Sequence, residues 1–142
     1  EYNSEKQQAN ISTFIPANIY NQSWFTIITE SRPTDLFFTE KTAKPILAKR
    51  LFVFFGAQHS LSVLHKLGFK TFGNVIDESY DDIADDNKRW ETALEQIKYL
   101  LNQDPVKISE KIAQIVEHNY QILLNLPTID SIVAQMKDIL YK

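Results

Sequence analysis

The sequence contains no cysteine among its 142 residues, which excludes disulfide bonds, thiolate metal ligands and cysteine nucleophiles. Clustered basic charge is also lacking. The 18 acidic residues outnumber the 15 lysines and arginines, and the net charge of -3 argues against non-specific nucleic-acid binding. No apolar run approaches the roughly 18 residues of a membrane-spanning helix, and the polar amino terminus does not resemble a signal peptide. We therefore expect no direct membrane insertion and a cytoplasmic chain, or one peripheral on the cytoplasmic side of a membrane.

Glycine is scarce too, with three residues that all lie between positions 56 and 73. What is present, 44% apolar and 23% charged residues, is typical of a soluble globular domain, and the length suits one domain. We predict a single Rossmann-like α/β domain over 1–142, with strands and helices alternating over 1–75 and helices over 76–142. Because the first residue is not methionine, we also expect the chain to be a piece of a larger protein.

Three short runs have the aromatic and β-branched composition of strands, and the first two lack alternation, as expected of strands buried on both faces. Helical segments separate the runs, which implies a parallel sheet with right-handed crossovers. Thr39 is the predicted N-cap of the first of these helices and Gly68 the predicted end of the second. The predicted strands are 23–30, 51–55 and 69–72, with an extended arm or short strand over 12–20 and later helices over 79–101, from Pro105 and from Pro127.

Three charged residues and a glycine lie close to the ends of the first two predicted strands. Glu30 closes one strand, Glu40 and Lys41 open the following helix, and Gly56 closes the next strand. Parallel α/β sheets bind ligands outside the carboxyl ends of their strands, and a helix N-terminus attracts phosphate. A carboxylate that binds ribose hydroxyls beside a lysine that binds phosphates would suit a nucleoside diphosphate. Helix capping by Glu40, an ordinary surface role for Lys41 and a simple turn at Gly56 remain open as alternatives.

Other candidates are less specific. Arg32 beside Glu30 is a possible phosphate ligand, and His59 follows the second strand closely enough to contact a phosphate or sugar. The acidic row Asp77, Asp81 and Asp85 has oxygen ligands that suit Ca²⁺ or Mg²⁺. It lacks the glycine turn of an EF-hand, so a solvated acidic segment is the favoured interpretation, and we expect no metal site.

The stretches "FTIITES", "FFTEK", "PILA" and "LFVFFG" together resemble the nucleotide-binding motif of α-1,3-fucosyltransferases and related glycosyltransferase-like proteins. The resemblance covers roughly residues 23–90. It implies the donor-binding, carboxyl-terminal domain of a GT-B enzyme. Glu40 would then bind the ribose, Lys41 the diphosphate, and Glu30 would lie near the donor sugar or its phosphate. Phe37 replaces the family's tyrosine and Ser31 its asparagine, which puts GDP-fucose in question as the donor.

The resemblance further implies an inverting transfer of a sugar from a nucleotide-diphosphate donor to a glycan hydroxyl, without a resident cofactor or metal. The acceptor and the general base would lie on an amino-terminal partner domain, so we expect the isolated chain to be inactive and leave its catalytic residues unassigned. The donor-binding candidates are Glu30, Arg32, Glu40, Lys41, Gly56 and His59. The alternatives are a non-catalytic α/β module that binds a nucleotide, glycan or protein, and a purely structural domain.

Overall fold

The computed structural model describes Ile15, residues 17–30 and residues 35–126. Two parallel strands form its sheet, and helices flank them, so the predicted mixed α/β class with a helical carboxyl-terminal half is confirmed. In chain order the elements are α1 (Ala17–Asn21), β1 (Phe25–Thr29), α2 (Glu40–Leu47), β2 (Leu51–Phe55), α3 (Ser60–Lys66), a 3-10 turn (Ser79–Asp82), α4 (Asp86–Leu101) and α5 (Pro105–Leu124). None of the described helices is long and apolar enough to span a bilayer.

The two strands differ in burial, which corrects part of the prediction. Phe25 pairs with Leu51 and Thr29 with Phe55. Leu51 to Phe54 of β2 are all buried, as predicted. In β1 only Ile28 is buried, and Ile27 remains 45% exposed. In the described part of the chain each strand pairs only with the other, so both lie at an edge of the sheet. The difference is that β1 is covered on one face, whereas β2 is buried on both.

The predicted third strand, 69–72, is wrong. Phe69 and Phe72 are buried, as their apolar character requires, but the segment is irregular. Its backbone groups form hydrogen bonds with side chains instead of with a neighbouring strand. The Asn119 amide accepts from Lys70 N and donates to Lys70 O, both at 2.8 Å, and Phe72 N donates to the Glu78 carboxylate at 2.7 Å. Buried backbone groups need partners, and here side chains supply them.

Helix α2, which follows β1, and helix α3, which follows β2, end in the same way. At the end of α3, Gly68 has φ 90, and Phe69 N donates to Leu64 O, so the predicted glycine stop is confirmed as a Schellman motif. At the end of α2, Lys49 takes the equivalent left-handed position with φ 54, and Arg50 N donates to Pro45 O. A lysine there costs about 1–2 kcal/mol relative to glycine.

The remaining predicted elements differ at their ends. Pro45 lies inside α2 and does not divide it. The predicted helix over 79–101 is a 3-10 turn followed by α4, whose N-cap Asp85 accepts from Lys88 N. Residues 17–21 of the predicted arm form a short helix instead. The helix predicted from Pro127 lies outside the described residues.

The core forms where β2 meets the helices. Phe52, Phe72 and Leu100 are essentially inaccessible to solvent, and the rings of Phe52 and Phe72 meet edge to face at 5.0 Å between centroids. Helix α4 packs on β2, and α5 packs on α2. This packing fixes the ends of β1 and β2 and, with them, the start of α2.

Candidate functional site at the carboxyl ends of the strands

The structure brings together the two strand ends that the sequence singled out. Thr29 and Phe55 form the last pair of the parallel ladder, and Glu30 N donates to Phe55 O at 3.1 Å. Glu30 and Gly56 are therefore neighbours. We call this region, formed by Glu30, Thr39 to Lys41, Gly56 and His59, the carboxyl-end rim.

The Glu30 carboxylate is buried, with 8% of its surface exposed, and it binds the start of α2. Its Oε1 accepts from Thr39 N at 3.0 Å and from the Thr42 hydroxyl at 2.9 Å. The Thr39 hydroxyl donates to the same carboxylate, 2.9 Å from Oε2. With three donors directed at it, Glu30 positions the loop and helix around it. The structure supplies this role, which the sequence did not predict.

Thr39 is the N-cap of α2, as predicted. Its side-chain oxygen accepts from Lys41 N at 3.2 Å while its hydroxyl proton is directed to Glu30. Thr39 O accepts from Thr42 N. The backbone amides of Lys41 and Thr42 therefore already have intramolecular acceptors. The expected binding of a phosphate by free N–H groups at this helix start is not supported for these two amides. In the same turn the Glu40 side chain is exposed and the Lys41 side chain is half-buried.

The start of α2 also contacts the end of β2. The Phe38 and Phe54 rings meet edge to face at 5.7 Å between centroids. An aromatic pair of this geometry contributes about 0.5–1.5 kcal/mol beyond the apolar area it buries. Glu40 and Lys41 are thus anchored to both strands, to β1 through Glu30 and to β2 through Phe38.

Gly56 is buried where the chain leaves β2. A Cβ at this position would collide with the Phe54 ring and lie 3.3 Å from the Ser60 hydroxyl, so close packing explains the glycine. Its carbonyl accepts from Arg89 Nε at 3.1 Å. This bond joins the end of β2 to α4.

Arg89 was not identified in the sequence analysis, and the structure shows it to be only 2% exposed. Its guanidinium donates to the carbonyls of Gly56 and Ile83 and to the Asp86 carboxylate. An arginine is rarely buried so completely without partners. Its spacing of three residues from Asp86 on α4 was the available signal, but only the fold shows that it ties α4 to the end of β2.

His59 lies at the rim as predicted, in a turn with a left-handed backbone, φ 66. Its Nδ1 lies 3.3 Å from Asp82 Oδ1, and its side chain is 52% exposed. His59 N donates to Asp81 O at 2.9 Å. A non-glycine residue in this conformation costs free energy and persists only where its surroundings impose it. The imidazole is thus presented to solvent beside the end of β2.

The acidic residues Asp77, Asp81 and Asp85 accept hydrogen bonds from nearby backbone amides. The two Asp81 oxygens accept from Leu61 N at 2.9 Å and Ser62 N at 3.0 Å, which caps α3. Burial raises the pKa of the Asp81 carboxyl, while these two hydrogen bonds lower it. Asp77 accepts from Ser79 N at 2.9 Å, and this bond lowers the pKa of Asp77. Within the described ranges, no group of three or more acidic or histidine side chains could hold a metal ion.

A second polar chain lies away from the rim. The Thr71 hydroxyl donates to Glu78 Oε2 at 2.6 Å, and His65 Nε2 lies 2.7 Å from the same hydroxyl. Burial raises the pKa of the Glu78 carboxyl, against the hydrogen bonds from Thr71 and Phe72 and the charge of His65. This chain holds the irregular segment 69–72 in place.

Arg32, the remaining predicted donor ligand, lies outside the described residues. Of the other five predicted residues, Glu30 and Gly56 are neighbours at the paired strand ends, and Glu30 binds Thr39, which directly precedes Glu40 and Lys41. His59 follows Gly56 by three residues, and its contacts are with Asp81 and Asp82. No protein-family model matches the sequence, and neither the curated proteins nor the solved structures contain a match to it.

Proposed function

We propose that the carboxyl-end rim binds a nucleotide-diphosphate sugar and that the chain is the donor-binding domain of a glycosyltransferase. The observation that supports this most directly is the placement of Glu40 and Lys41. They open α2 beside the paired ends of two parallel strands, where α/β domains bind nucleotides. Glu30 and Phe38 anchor that first turn on both strands.

In this proposal Glu40 accepts hydrogen bonds from the ribose hydroxyls, and the Lys41 ammonium binds the diphosphate. Glu30 does not contact the donor, because its carboxylate is already bound by Thr39 and Thr42. It positions the two ligands instead. His59, whose side chain is 52% exposed, is the second candidate for the phosphates or the sugar.

At the starts of α2 and α3, the two helices that follow the strands, carboxylates of the protein itself already accept hydrogen bonds. Glu30 binds the start of α2, and Asp81 binds Leu61 N and Ser62 N at the start of α3. A diphosphate therefore has to bind through side chains. This arrangement also favours one competing function, a non-catalytic α/β module that binds no phosphate, and the experiment must separate the two.

Isothermal titration calorimetry with GDP, UDP and GDP-sugars tests the proposal. We expect millimolar binding of a nucleoside diphosphate by the wild-type chain. Lys41→Ala should weaken it about tenfold or more, equivalent to about 1.4 kcal/mol. Lys66→Ala, which removes an exposed lysine at the other end of α3, is the matched control and should bind as wild type does.

The ribose contact has its own test. The wild type should bind a 2′-deoxynucleoside diphosphate more weakly than the ribonucleotide, and Glu40→Gln should reduce that difference. If no nucleotide binds at millimolar concentration, the module is the better interpretation. If Lys41→Ala binds as tightly as the wild type, the diphosphate role of Lys41 is refuted even though a site exists.

A further inference from the structure

A cavity of about 310 Å³ opens at the other end of the sheet, where β1 and β2 begin. Its wall includes Trp24 just before β1, Lys49 and Arg50 just before β2, and Val106, Ser109 and Ile112 from the first two turns of α5. We call it the amino-end cavity. Its volume is at the lower limit of the roughly 300–1,000 Å³ typical of small-molecule sites.

Most of this wall is apolar. The Ile112 side chain is buried, at 5% exposure, whereas Val106 is 64% exposed at the mouth of the cavity. Trp24 is half-buried and packs edge to face on Phe25, 4.8 Å between ring centroids. The Ser109 hydroxyl donates to Val106 O at 2.7 Å. The site therefore suits the apolar body of a small ligand.

The charged side chains in the wall are Lys49 and Arg50, and none of the lining residues is acidic. Lys49 Nζ is already paired with Glu117 at 2.6 Å and lies over the Tyr120 ring. Arg50 donates through Nε and Nη2 to Tyr20 O, at 3.1 and 2.7 Å. That acceptor is neutral, and among the described residues Arg50 has no carboxylate partner. The cavity thus contains one half-buried positive charge without a counter-charge.

The backbone holds this arginine in place. Lys49 adopts its left-handed conformation at the end of α2, and Arg50 N closes the motif on Pro45 O at 2.9 Å. The acid nearest in sequence on α5, Asp104, has its carboxylate engaged as the N-cap and accepts from Val106 N at 2.9 Å. The Arg50 guanidinium is itself held by its two bonds to Tyr20 O, so the cation is oriented before any ligand arrives, which lowers the entropic cost of binding.

We propose that the amino-end cavity is a binding site for a small aromatic carboxylate. The ligand's carboxylate pairs with Arg50, whose planar guanidinium suits it, and its ring packs against Trp24, Val106 and Ile112. The site is separate from the carboxyl-end rim, so neither proposal depends on the other.

Phenylacetate is the probe, and its neutral amide, phenylacetamide, is the control of the same shape. The two tryptophans of the chain give a direct readout by ¹H–¹⁵N NMR, since Trp24 lines the cavity and Trp90 lies in α4. We expect phenylacetate to shift the indole N–H signal of Trp24 and leave that of Trp90 unchanged, with a dissociation constant of about 1 mM, as is usual for so small a ligand. Phenylacetamide should bind about tenfold more weakly or not at all.

Two variants separate the charge from the cavity. Arg50→Gln should weaken phenylacetate binding about tenfold and remove the preference over phenylacetamide, because the cation is gone. Ser109→Trp fills the cavity from an exposed position of α5 and should abolish binding. Gln114→Trp, another exposed position of α5, is its control. Unchanged far-ultraviolet circular dichroism identifies the variants that are folded.

An unshifted Trp24 signal at saturating probe would overturn the proposal. Equal affinity for phenylacetate and phenylacetamide would refute the role of Arg50. Undiminished binding by a folded Ser109→Trp variant would place the ligand elsewhere.

Discussion

Removing the Glu30 carboxylate should destabilise the protein far more than removing its neighbour in the motif, Glu40. In Glu30→Ala, three donors lose their acceptor: Thr39 N, the Thr39 hydroxyl and the Thr42 hydroxyl. Thr42 is only 4% exposed, so water replaces its acceptor poorly. The first turn of α2 then has no anchor on β1.

The expected magnitude follows from these contacts. A hydrogen bond to a charged group contributes about 1.5–3 kcal/mol, and an unsatisfied buried donor costs about 1–3 kcal/mol. Water can reach half-buried Thr39, so we expect a loss of about 3 kcal/mol of unfolding free energy rather than the full sum. For a chain of this length that corresponds to about 10 °C in Tm. Glu30→Gln, which keeps one oxygen, should lose about half as much.

Urea denaturation measures the effect. Glu40→Ala is the matched control, and because Glu40 is exposed in the first turn, it should lose only about 0.5 kcal/mol. A double-mutant cycle between Glu30→Ala and Thr42→Val should give a coupling energy of about 1 kcal/mol or more. A loss below about 1 kcal/mol for Glu30→Ala, or no coupling to Thr42, would refute the role of Glu30 as the anchor of α2.

Three further predictions concern stability. Asn119→Ala should cost about 2–4 kcal/mol in urea denaturation, because Lys70 N and O both lose their partner; a loss under 1 kcal/mol would contradict this. Gly56→Ala should cost about 1–3 kcal/mol, because the new methyl group overlaps the Phe54 ring; an unchanged Tm would show that the ring moves freely. Burial raises the pKa of Glu78 above its ordinary 4.5, so the folded state holds this proton more tightly than the unfolded chain. The wild type should therefore lose stability relative to Glu78→Gln as pH rises from about 4.5 through the folded-state pKa, and a pH-independent difference would refute the assignment.

Local signals in the sequence predicted several elements correctly. Thr39 before Glu40 indicated the start of α2, and Gly68 indicated the end of α3, because an N-cap hydroxyl and a left-handed glycine act within one turn of helix. The aromatic and β-branched run "LFVFF" indicated a buried strand, and β2 is one. Parallel pairing of the first two strands followed from the helix between them.

The failures share a cause. The segment 69–72 has a strand-like composition, yet its backbone bonds to Asn119, 49 residues later, and to Glu78. β1 has the composition of a strand buried on both faces but is covered on only one, because burial depends on what packs against a strand. The adjacency of Glu30 and Gly56 was predictable from parallel topology. The hydrogen-bond partners of Glu30 were not.

The sequence by itself determined the start of α2 after Thr39, the end of α3 at Gly68, the parallel order of β1 and β2, and the position of Glu40 and Lys41 in the first turn of α2. These depend on residues within a few positions of one another. Tertiary structure alone decided that Glu30 binds Thr39 and Thr42, that Asp81 caps α3, and that Arg50 lines a cavity with no carboxylate partner among the described residues. Each of these depends on distant segments meeting in space, where a buried polar group must find a partner, and no local pattern specifies which one.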